Sequence, residues 1–549
     1  MRKAARITLL IILLLISSLS LLSQTSMNKR VLVKIYLENK EDIKTLDDMA
    51  LDFATHRIEK HAEVIVTQKE LEEIHKRGFK TELISNGLKS YIVENEYRSN
   101  EEISNLLNTY HQMFPDLTKI ETIGYSESLG IKIQAIKISY NPEVDEDEPT
   151  VMYNGMHHAR EPVGAESCLT LIEYLLNAYG SNQNVTRWVE NYEIWIIPTV
   201  NTEGWDYLYN NNLVNPWWRK NLKDNNGDNI FNPLEDGVDL NRNYHNRFFQ
   251  GGDSSPDSWV YRGKNPFSES ETQAIRDLAQ DKKFVCSISY HSYGEIVLYP
   301  WSDHTPADQD LLIEMVENIA GRILKVTGNT YYNPSATGYN SGMSMNWMYA
   351  KNGTIEFIIE TCDEFMPVGE KARIVAQRNL SGALYLLERM EGPGITGTIK
   401  DSETNLPLAA SVKVVEHFDP DMYPRKANDK FGRYNRLLQN GSYTLEFSKD
   451  GYISQTINNV VVKDDEMTQL NVILVPGFVG VNEMMNGKKV TMVLSPNYPN
   501  PFSNQTTINY ELKETGKILL SIYDISGKEV CTLINEVFSP GKYTVIWDG

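Results

Sequence analysis

The feature that most constrains this fold is a set of near-continuous apolar runs separated by segments with helical periodicity. Four of these runs are residues 131–138, 192–197, 284–289 and 354–359. Strands that are apolar on both faces need helices on both sides of their sheet, so the pattern predicts an α/β fold with a central, helix-flanked sheet. In such folds functional sites gather at the carboxyl ends of strands, and His291 and Glu360 follow two of the runs.

The chain is longer than a single hydrophobic core supports. It has 549 residues, of which 41% are hydrophobic and 23% are charged, so three or more globular domains are expected. The formal net charge of −20 repels phosphate backbones, which argues against a nucleic-acid partner.

The amino terminus carries an export pattern. A basic start, Met1 to Arg6, precedes an apolar run from Ile7 to Leu22, and polar residues follow. We expect residues 1–24 to be a signal peptide. A retained membrane anchor is the alternative, which the shortness of the run and its serine-rich second half disfavour. No later stretch predicts a transmembrane span.

The cysteines give little support for covalent or redox roles. Four are present, none in a C-x-x-C pair, so neither a zinc ribbon nor a redox pair is expected. Cys168 and Cys286 lie in apolar runs and are expected to be buried thiols. A disulfide between Cys286 and Cys362 remains an option for an exported protein.

Two histidines and a glutamate from distant segments form the strongest chemical signal. His158-Ala-Arg-Glu161 supplies an imidazole and a carboxylate, and Ser-Tyr-His291-Ser-Tyr supplies a second imidazole. This is a ligand set with which a catalytic Zn²⁺ keeps its fourth position open for water, whose pKa it lowers to about 7. The sequence therefore predicts one Zn²⁺ bound by His158, Glu161 and His291.

Further motifs accompany this ligand set. They are Trp218-Arg219-Lys-Asn, Gly237-Val-Asp-Leu-Asn241-Arg242-Asn, Ser341-Gly-Met-Ser-Met-Asn-Trp347 and the carboxylate Glu360 in an apolar run. Together these residues resemble the zinc carboxypeptidases of the carboxypeptidase A/B (carboxypeptidase T-like) type, over roughly residues 97 to 390. The resemblance implies the zinc carboxypeptidase fold, with a central mixed sheet and a catalytic domain over residues 97–392.

The resemblance also assigns roles to the histidines and glutamates. Its spacing places the first histidine ligand at His158 and leaves His157 a structural or supporting residue. Counting from Trp347 places the general base at Glu360, where it would take a proton from the attacking water and pass it to the leaving amine. Glu356, on the same face of a regular strand, is the alternative base and is otherwise expected to pair with a buried cation.

The resemblance implies that arginine side chains bind the substrate. Arg219 corresponds to the group that stabilises the oxyanion developing on the scissile carbonyl. Asn241 and Arg242 match the pair that binds a C-terminal carboxylate, to which a planar guanidinium gives two parallel hydrogen bonds. Arg160 resembles a further substrate-binding arginine. This anchoring predicts an exopeptidase, because it restricts cleavage to the last residue.

Two more pocket residues follow from the family spacing. The tyrosine that closes over the substrate is assigned to Tyr339, although a strict count ends one residue earlier, at Gly338. Met345 stands where relatives that prefer basic residues carry aspartate. Its apolar thioether therefore predicts a preference for aliphatic or aromatic C-terminal side chains.

A second metal is a weaker hypothesis. The run Asp224-Asn-Asn-Gly-Asp228 offers oxygen ligands of the kind that bind Ca²⁺. It lacks the later bidentate glutamate of an EF-hand loop, which favours a solvated turn.

Three further modules flank the catalytic region. Residues 29–88, with a helical segment around residues 42–53, predict a small α+β unit that is either an inhibitory prodomain or an accessory module. Residues 394–475 carry short strands between turns and resemble the carboxypeptidase-regulatory-like (transthyretin-like) β-sandwich. Residues 491–549 resemble the C-terminal sorting domain of bacterial type IX secretion substrates. They stop where that family continues, so an incomplete domain is expected.

These observations predict a secreted or cell-surface bacterial metallocarboxypeptidase that trims C-terminal residues by single-step, water-promoted hydrolysis. Its partners would be substrate C-termini and, through residues 491–549, the secretion machinery. Two alternatives stay open. One is a cell-wall peptide endopeptidase of the same fold, which Asn241 and Arg242 disfavour. The other is a surface binding protein with an inactive protease domain, which would lack a metal ligand or the base.

Overall fold

The structure is a computed structural model, and it describes most of the chain after the predicted signal peptide. The described residues are 30–54, 60–85, 97–211, 216–338, 342–419, 422–464, 466–477, 484–485, 488–489, 492–494, 497, 502, 504–523 and 529–549. The predicted signal peptide, residues 1–24, lies outside them. Among the described residues, no helix combines the length and the apolarity needed to cross a membrane.

Residues 30–85 fold as a small α+β unit, because alternating strands bury one face against two helices. Its described elements are β1 (Val31–Tyr36), α1 (Lys40–Asp47), β2 (Asp52–Phe53), β3 (His61–Val66), α2 (Gln68–Lys76) and β4 (Lys80–Ser85). The strands pair in the antiparallel order β2-β3-β1-β4. The helix predicted around residues 42–53 is therefore wrong in its second half. It ends at Asp47, Ala50 takes a left-handed φ of +49°, and the chain re-enters the sheet as edge strand β2.

The predicted central sheet is confirmed as a mixed sheet of eight strands in the described residues after residue 97. These are β5 (Thr118–Tyr125), β6 (Lys132–Ile138), β7 (Thr150–Gly155), β8 (Glu193–Ile197), β9 (Cys286–Ser292), β10 (Ile296–Pro300), β11 (Asn333–Thr337) and β12 (Ile355–Thr361). Their order is β11-β10-β12-β9-β7-β8-β6-β5. The four central strands β12, β9, β7 and β8 run parallel and are buried throughout, as their apolar sequences require.

Helices cover this sheet. They are α3 (Asn100–Met113), α4 (Val163–Ala178), α5 (Gln183–Asn191), α6 (Thr202–Asn210), α7 (Ser270–Lys282), α8 (Gln309–Ala320), α9 (Ser344–Trp347) and α10 (Glu370–Arg389). On one side Ile275 and Leu278 of α7 pack with Ile133 and Trp195 of the sheet in one buried cluster. The first compact unit of the chain extends to Gly392.

The disulfide option is wrong, because all four cysteines are free thiols. Cys286 opens β9, whereas Cys362 follows the far end of the neighbouring parallel strand β12. In this pairing Cys286 lies opposite Ile355, and the seven residues of extended chain from Ile355 to Cys362 span about 23 Å. A bridge needs Cα atoms within about 7 Å, so the strand register forbids it.

The second compact unit, residues 393–418 and 424–549, is built of β-strands where it is described. Its first strands are β13 (Gly394–Asp401), β14 (Ser411–Val414), β15 (Arg425–Lys426), β16 (Arg433–Leu437), β17 (Gly441–Ser448), β18 (Gln455–Val462), β19 (Met467–Gln469) and β20 (Val472–Leu474). They form two sheets, in which β13 pairs with β16, β19 and β20, and β14 with β15 and β17, around one apolar core.

The last described strands follow in the same unit. They are β21 (Met484–Met485), β22 (Lys488–Lys489), β23 (Met492–Leu494), β24 (Thr506–Leu512), β25 (Gly516–Tyr523), β26 (Glu529–Phe538) and β27 (Gly541–Trp547). They pair as β21-β22, β23-β24-β27 and β25-β26. The β-rich carboxyl-terminal part expected from the sequence is thus present.

Candidate metal centre and active site

The three predicted metal ligands converge at the carboxyl ends of two neighbouring strands. His158 and Glu161 lie in the turn after β7, and His291 lies near the end of β9. Nδ1 of His158 is 2.8 Å from Oε1 of Glu161, Nδ1 of His291 is 3.0 Å from Oε2, and the two Nδ1 atoms are 3.2 Å apart. Ligands about 2.1 Å from a tetrahedral Zn²⁺ lie about 3.4 Å from one another, so the donor set fits this ion.

Asp239 fixes the orientation of the first imidazole. Its Oδ1 is 3.1 Å from Nε2 of His158, and its Oδ2 accepts a 2.7 Å hydrogen bond from Arg219. Burial alone would raise the pKa of Asp239, but the charges of Arg219 and His158 outweigh it and hold the pKa well below its usual value. Nη2 of Arg219 also lies 2.8 Å from the same Nε2, so Asp239 and Arg219 together position the ring with its Nδ1 toward Glu161. Asp239 stands two positions before Asn241 in the sequence, but no motif indicated a role for it.

Glu360 lies beside the metal ligands because of strand register. It is directly opposite His291 in the parallel pairing of β12 with β9, so both side chains point to the same face of the sheet. Glu360 is buried and lines one small pocket together with all three predicted ligands. This is the position that a general base for water attack requires.

Glu356 is placed differently from what the sequence suggested. It is fully buried and accepts 2.7 Å hydrogen bonds from the hydroxyls of Ser287 and Ser344. The expectation of a buried cation partner is therefore wrong, because two serine hydroxyls satisfy the carboxyl group instead. Burial raises the pKa of Glu356 to about 7.

The predicted substrate-binding groups line the same pocket. Arg160, Arg219, Asn241 and Arg242 all contribute to its wall. The turn Leu240–Arg242 holds the last two, and Oδ1 of Asn241 accepts a 2.9 Å hydrogen bond from the backbone of Ser344. The pocket thus combines a metal-ligand set, a carboxylate and three guanidinium groups, which is an arrangement suited to hydrolysis beside an anionic group.

Comparison with known proteins decides the family. The model of the zinc carboxypeptidase family matches residues 103–380, about half of the chain. The chain belongs to the zinc carboxypeptidase family. A second model, of a secretion system C-terminal sorting domain, matches residues 497–542 of the same chain.

Several curated relatives resemble this zinc carboxypeptidase. Human carboxypeptidase D is 26% identical over 430 residues, which cover 74% of this chain but only 28% of that protein. The inactive metallocarboxypeptidase ECM14 of Saccharomyces cerevisiae is 26% identical over 322 residues, 55% of this chain and 73% of the relative. Among solved structures, carboxypeptidase A from Helicoverpa armigera matches with a TM-score of 0.57 at 19% identity, over 67% of this chain and 99% of that chain. The structural match supports the fold.

Two arginines of the pocket bind a carboxylate that no sequence motif indicated. Asp52, in edge strand β2 of the small α+β unit, is buried against two arginines of the pocket. Arg160 donates 2.6 and 2.8 Å hydrogen bonds to its two carboxylate oxygens, and Arg219 donates one of 2.8 Å. Phe53 and Ala54 line the same pocket.

The charges of Asp52 and the arginines shift one another's pKa values. Burial would raise the pKa of Asp52, but the neighbouring charges of Arg160 and Arg219 outweigh it and lower the pKa. Burial would likewise lower the pKa of Arg219, but Asp239 and Asp52 raise it. A second contact joins the two parts, in which the Tyr293 hydroxyl donates a 2.9 Å hydrogen bond to Glu63 of β3.

The remaining predicted positions have mixed outcomes. Tyr339 lies outside the described residues. Met345 is fully buried in an apolar cluster with Ile296, Leu298, Met343 and Ile358. Of this cluster, Met343 is the member that lines the pocket. The predicted specificity role of Met345 therefore stays a prediction.

The Asp224–Asp228 run uses its oxygens to close a turn. The Asp224 carboxylate accepts hydrogen bonds from the backbone of Gly227 at 2.6 Å and of Asn229 at 2.8 Å, and Asp228 accepts one from Ile230 at 2.8 Å. These bonds form a turn closed by its own side chains, and the Ca²⁺ hypothesis stays a prediction.

Proposed function

We propose that this protein is an exported, zinc-dependent metallocarboxypeptidase that removes C-terminal residues from peptides and proteins. The observation that carries the proposal is the convergence of His158, Glu161 and His291, with Glu360 directly opposite His291 on the adjacent strand. The match of residues 497–542 to a sorting domain supports export.

Each side chain has a defined task in this reaction. A Zn²⁺ held by His158, Glu161 and His291 would act as a Lewis acid and lower the pKa of a bound water. Glu360 takes a proton from the water whose oxygen attacks the scissile carbonyl carbon. The carbon–nitrogen bond then breaks, and Glu360 returns the proton to the departing amine. Arg219 donates hydrogen bonds to the oxyanion that develops on the carbonyl oxygen.

Recognition of the chain end makes the enzyme an exopeptidase. Asn241 and Arg242 bind the terminal carboxylate, which an internal peptide bond cannot offer. The apolar cluster that contains Met343 and Met345 supports a preference for aliphatic or aromatic terminal side chains. An endopeptidase acting on cell-wall peptides would not need this anion-binding pair.

The small α+β unit acts as an inhibitory prodomain in this proposal. Asp52 is a carboxylate that occupies two of the guanidinium groups intended for substrate, at hydrogen-bond distances of 2.6–2.8 Å. A peptide cannot bind these arginines while Asp52 does, so residues 30–85 must move before substrate enters.

Peptide trimming tests the proposal directly. A mixed peptide pool is incubated with the Asp52→Ala full-length protein, with and without a zinc chelator, and the products are identified by mass spectrometry. We expect stepwise loss of residues from free C-termini, survival of the matching C-terminal amides, and no reaction with chelator. Internal cleavage of the amides would establish the endopeptidase alternative. Absence of any hydrolysis by the zinc-loaded protein would favour the alternative of an inactive protease domain; the yeast relative is itself named an inactive metallocarboxypeptidase.

A further inference from the structure

His157, which precedes the first predicted ligand, contacts three separate parts of the site while fully buried. Its Nε2 is 2.8 Å from the Tyr244 hydroxyl, and its Nδ1 is 3.3 Å from Oγ of Ser289. Its ring lies 5.4 Å from the ring of His291, with the two planes only 17° apart. This is a stacked pair within the range of favourable ring contacts.

The two histidine ligands are supported in different ways. Nε2 of His158 has Asp239 as a partner, the usual device that fixes the ring of a metal-binding histidine. Nε2 of His291 has no hydrogen-bond partner among the described residues. The ring plane of His291 is therefore left to packing, to which the stacked imidazole of His157 at 5.4 Å and the edge-on imidazole of His158 at 4.8 Å contribute.

We propose that His157 and Tyr244 form a positioning pair, which orients the His291 ligand and couples it to the turn that carries Asn241 and Arg242. Tyr244 follows that turn by two residues, and its backbone N–H donates to Gly342 at 3.0 Å. The pair thus connects the metal ligands to the groups that anchor the chain end. The inference rests on the proposed function, because it requires a metal on His291.

The donor and acceptor of each hydrogen bond around His157 can be assigned consistently. The Ser289 hydroxyl donates to Oδ1 of Asn154 at 2.8 Å, so its oxygen is free to accept from Nδ1–H of His157. Nε2 of His157 then accepts from the Tyr244 hydroxyl, and the imidazole is neutral.

The ring of Tyr244 is itself held in place. It packs against Phe267 at 5.5 Å and Trp347 at 6.0 Å between ring centroids. Tyr244→Phe therefore removes the hydroxyl while retaining the aromatic packing. Tyr153→Phe is the matched control, because the Tyr153 hydroxyl is equally buried but donates to the carbonyl of Ala383 at 2.9 Å.

The test is the zinc affinity of the full-length protein, measured by competition with a chromophoric chelator. We expect Tyr244→Phe to weaken Zn²⁺ binding by about 10-fold or more, the effect typical of losing a group that orients a ligand. Tyr153→Phe should lower the melting temperature comparably and leave the affinity within about 3-fold. Absorption of the Co²⁺-substituted protein should change in Tyr244→Phe alone, because the ligand geometry is altered.

A second variant separates positioning from simple loss of stability. His157→Phe keeps a stacked ring but cannot accept the tyrosine hydrogen bond, so adding Tyr244→Phe to it should cause no further loss of affinity. Equal affinities in Tyr244→Phe and Tyr153→Phe, or additive losses in the double variant, overturn the pair. If the unaltered protein binds no Zn²⁺, both this inference and the proposed metal function are wrong.

Discussion

The contact of Asp52 with two active-site arginines gives the sharpest prediction. Asp52→Ala in the full-length chain removes three buried hydrogen bonds between charged groups, to Arg160 and Arg219. It also leaves the buried Arg160 guanidinium without its carboxylate partner while the α+β unit stays docked, whereas Arg219 keeps its ion pair with Asp239. Opening of the unit hydrates the Arg160 guanidinium, so the substitution favours the open state.

The size of the effect follows from the burial of the pair. Breaking a buried ion pair by removing one partner costs about 3–5 kcal/mol. Because about 1.4 kcal/mol is a factor of ten, the equilibrium between closed and open forms should shift by about 10²–10³-fold. Basal hydrolysis of a peptide with a free C-terminus should rise by the same factor, up to the rate of the fully open enzyme.

The assay compares initial rates of the unaltered protein, Asp52→Ala and a control. Glu63→Gln removes one carboxylate charge from the same unit, but the glutamine oxygen still accepts from the Tyr293 hydroxyl. We expect this control to stay within about 5-fold of the unaltered protein, since a neutral hydrogen bond is worth only about 1 kcal/mol.

Calorimetric binding of a dipeptide provides a readout that does not depend on turnover. Asp52→Ala should bind the dipeptide carboxylate, and the unaltered protein should bind it about 10²–10³-fold more weakly, by the same equilibrium shift. Equal binding by the two proteins would refute the reasoning, because it would mean that the contact of Asp52 with Arg160 and Arg219 does not keep the pocket closed.

Four further outcomes follow from the same geometry. Glu360→Ala in the Asp52→Ala background should retain Zn²⁺ by elemental analysis and lose peptide hydrolysis; retained hydrolysis would remove Glu360 from the mechanism. The pKa of Glu356 is about 7 in the folded protein and about 4.3 in the unfolded chain. The free energy of unfolding should therefore fall as the pH rises from about 4 to about 7. Glu356→Gln should therefore gain up to about 3 kcal/mol at pH 8 relative to pH 4 in denaturant unfolding, and an equal effect at both pH values would contradict this. Met345→Asp should raise kcat/KM for terminal lysine over leucine, and an unchanged ratio would exclude Met345 as a specificity residue. The lowered pKa of Asp52 means that its contribution to docking is present above about pH 4 and lost as pH falls through that pKa, so dipeptide binding to the unaltered protein should not increase between pH 8 and 5.

The sequence was sufficient for features that one local pattern encodes. The central strands lie in or beside near-continuous apolar runs, which predicts burial on both faces without knowledge of their partners. His291 and Glu360 could be placed near each other because each follows such a run. Pairing between distant segments was not visible, so the opposite ends occupied by Cys286 and Cys362 appeared only with the strand register.

Short elements whose structure depends on distant residues could not be predicted from local sequence patterns. Asp52 lies in a two-residue strand that exists because it pairs with β3, and a helical pattern upstream extended across it. Its role depends on Arg160 and Arg219, more than a hundred positions away. Asp239 was within a quoted motif, and an acidic residue two positions before the predicted anchor pair was the available signal.

The register of β12 against β9 has a consequence for judging related chains. Side chains alternate between faces along a strand, so a single inserted residue early in β12 would turn Glu360 to the opposite face of the sheet. Such a chain would retain every ligand and its glutamate, yet the carboxylate would point away from the reacting water. Counting residues between the motifs is therefore a stricter criterion for competence than checking that each motif is present.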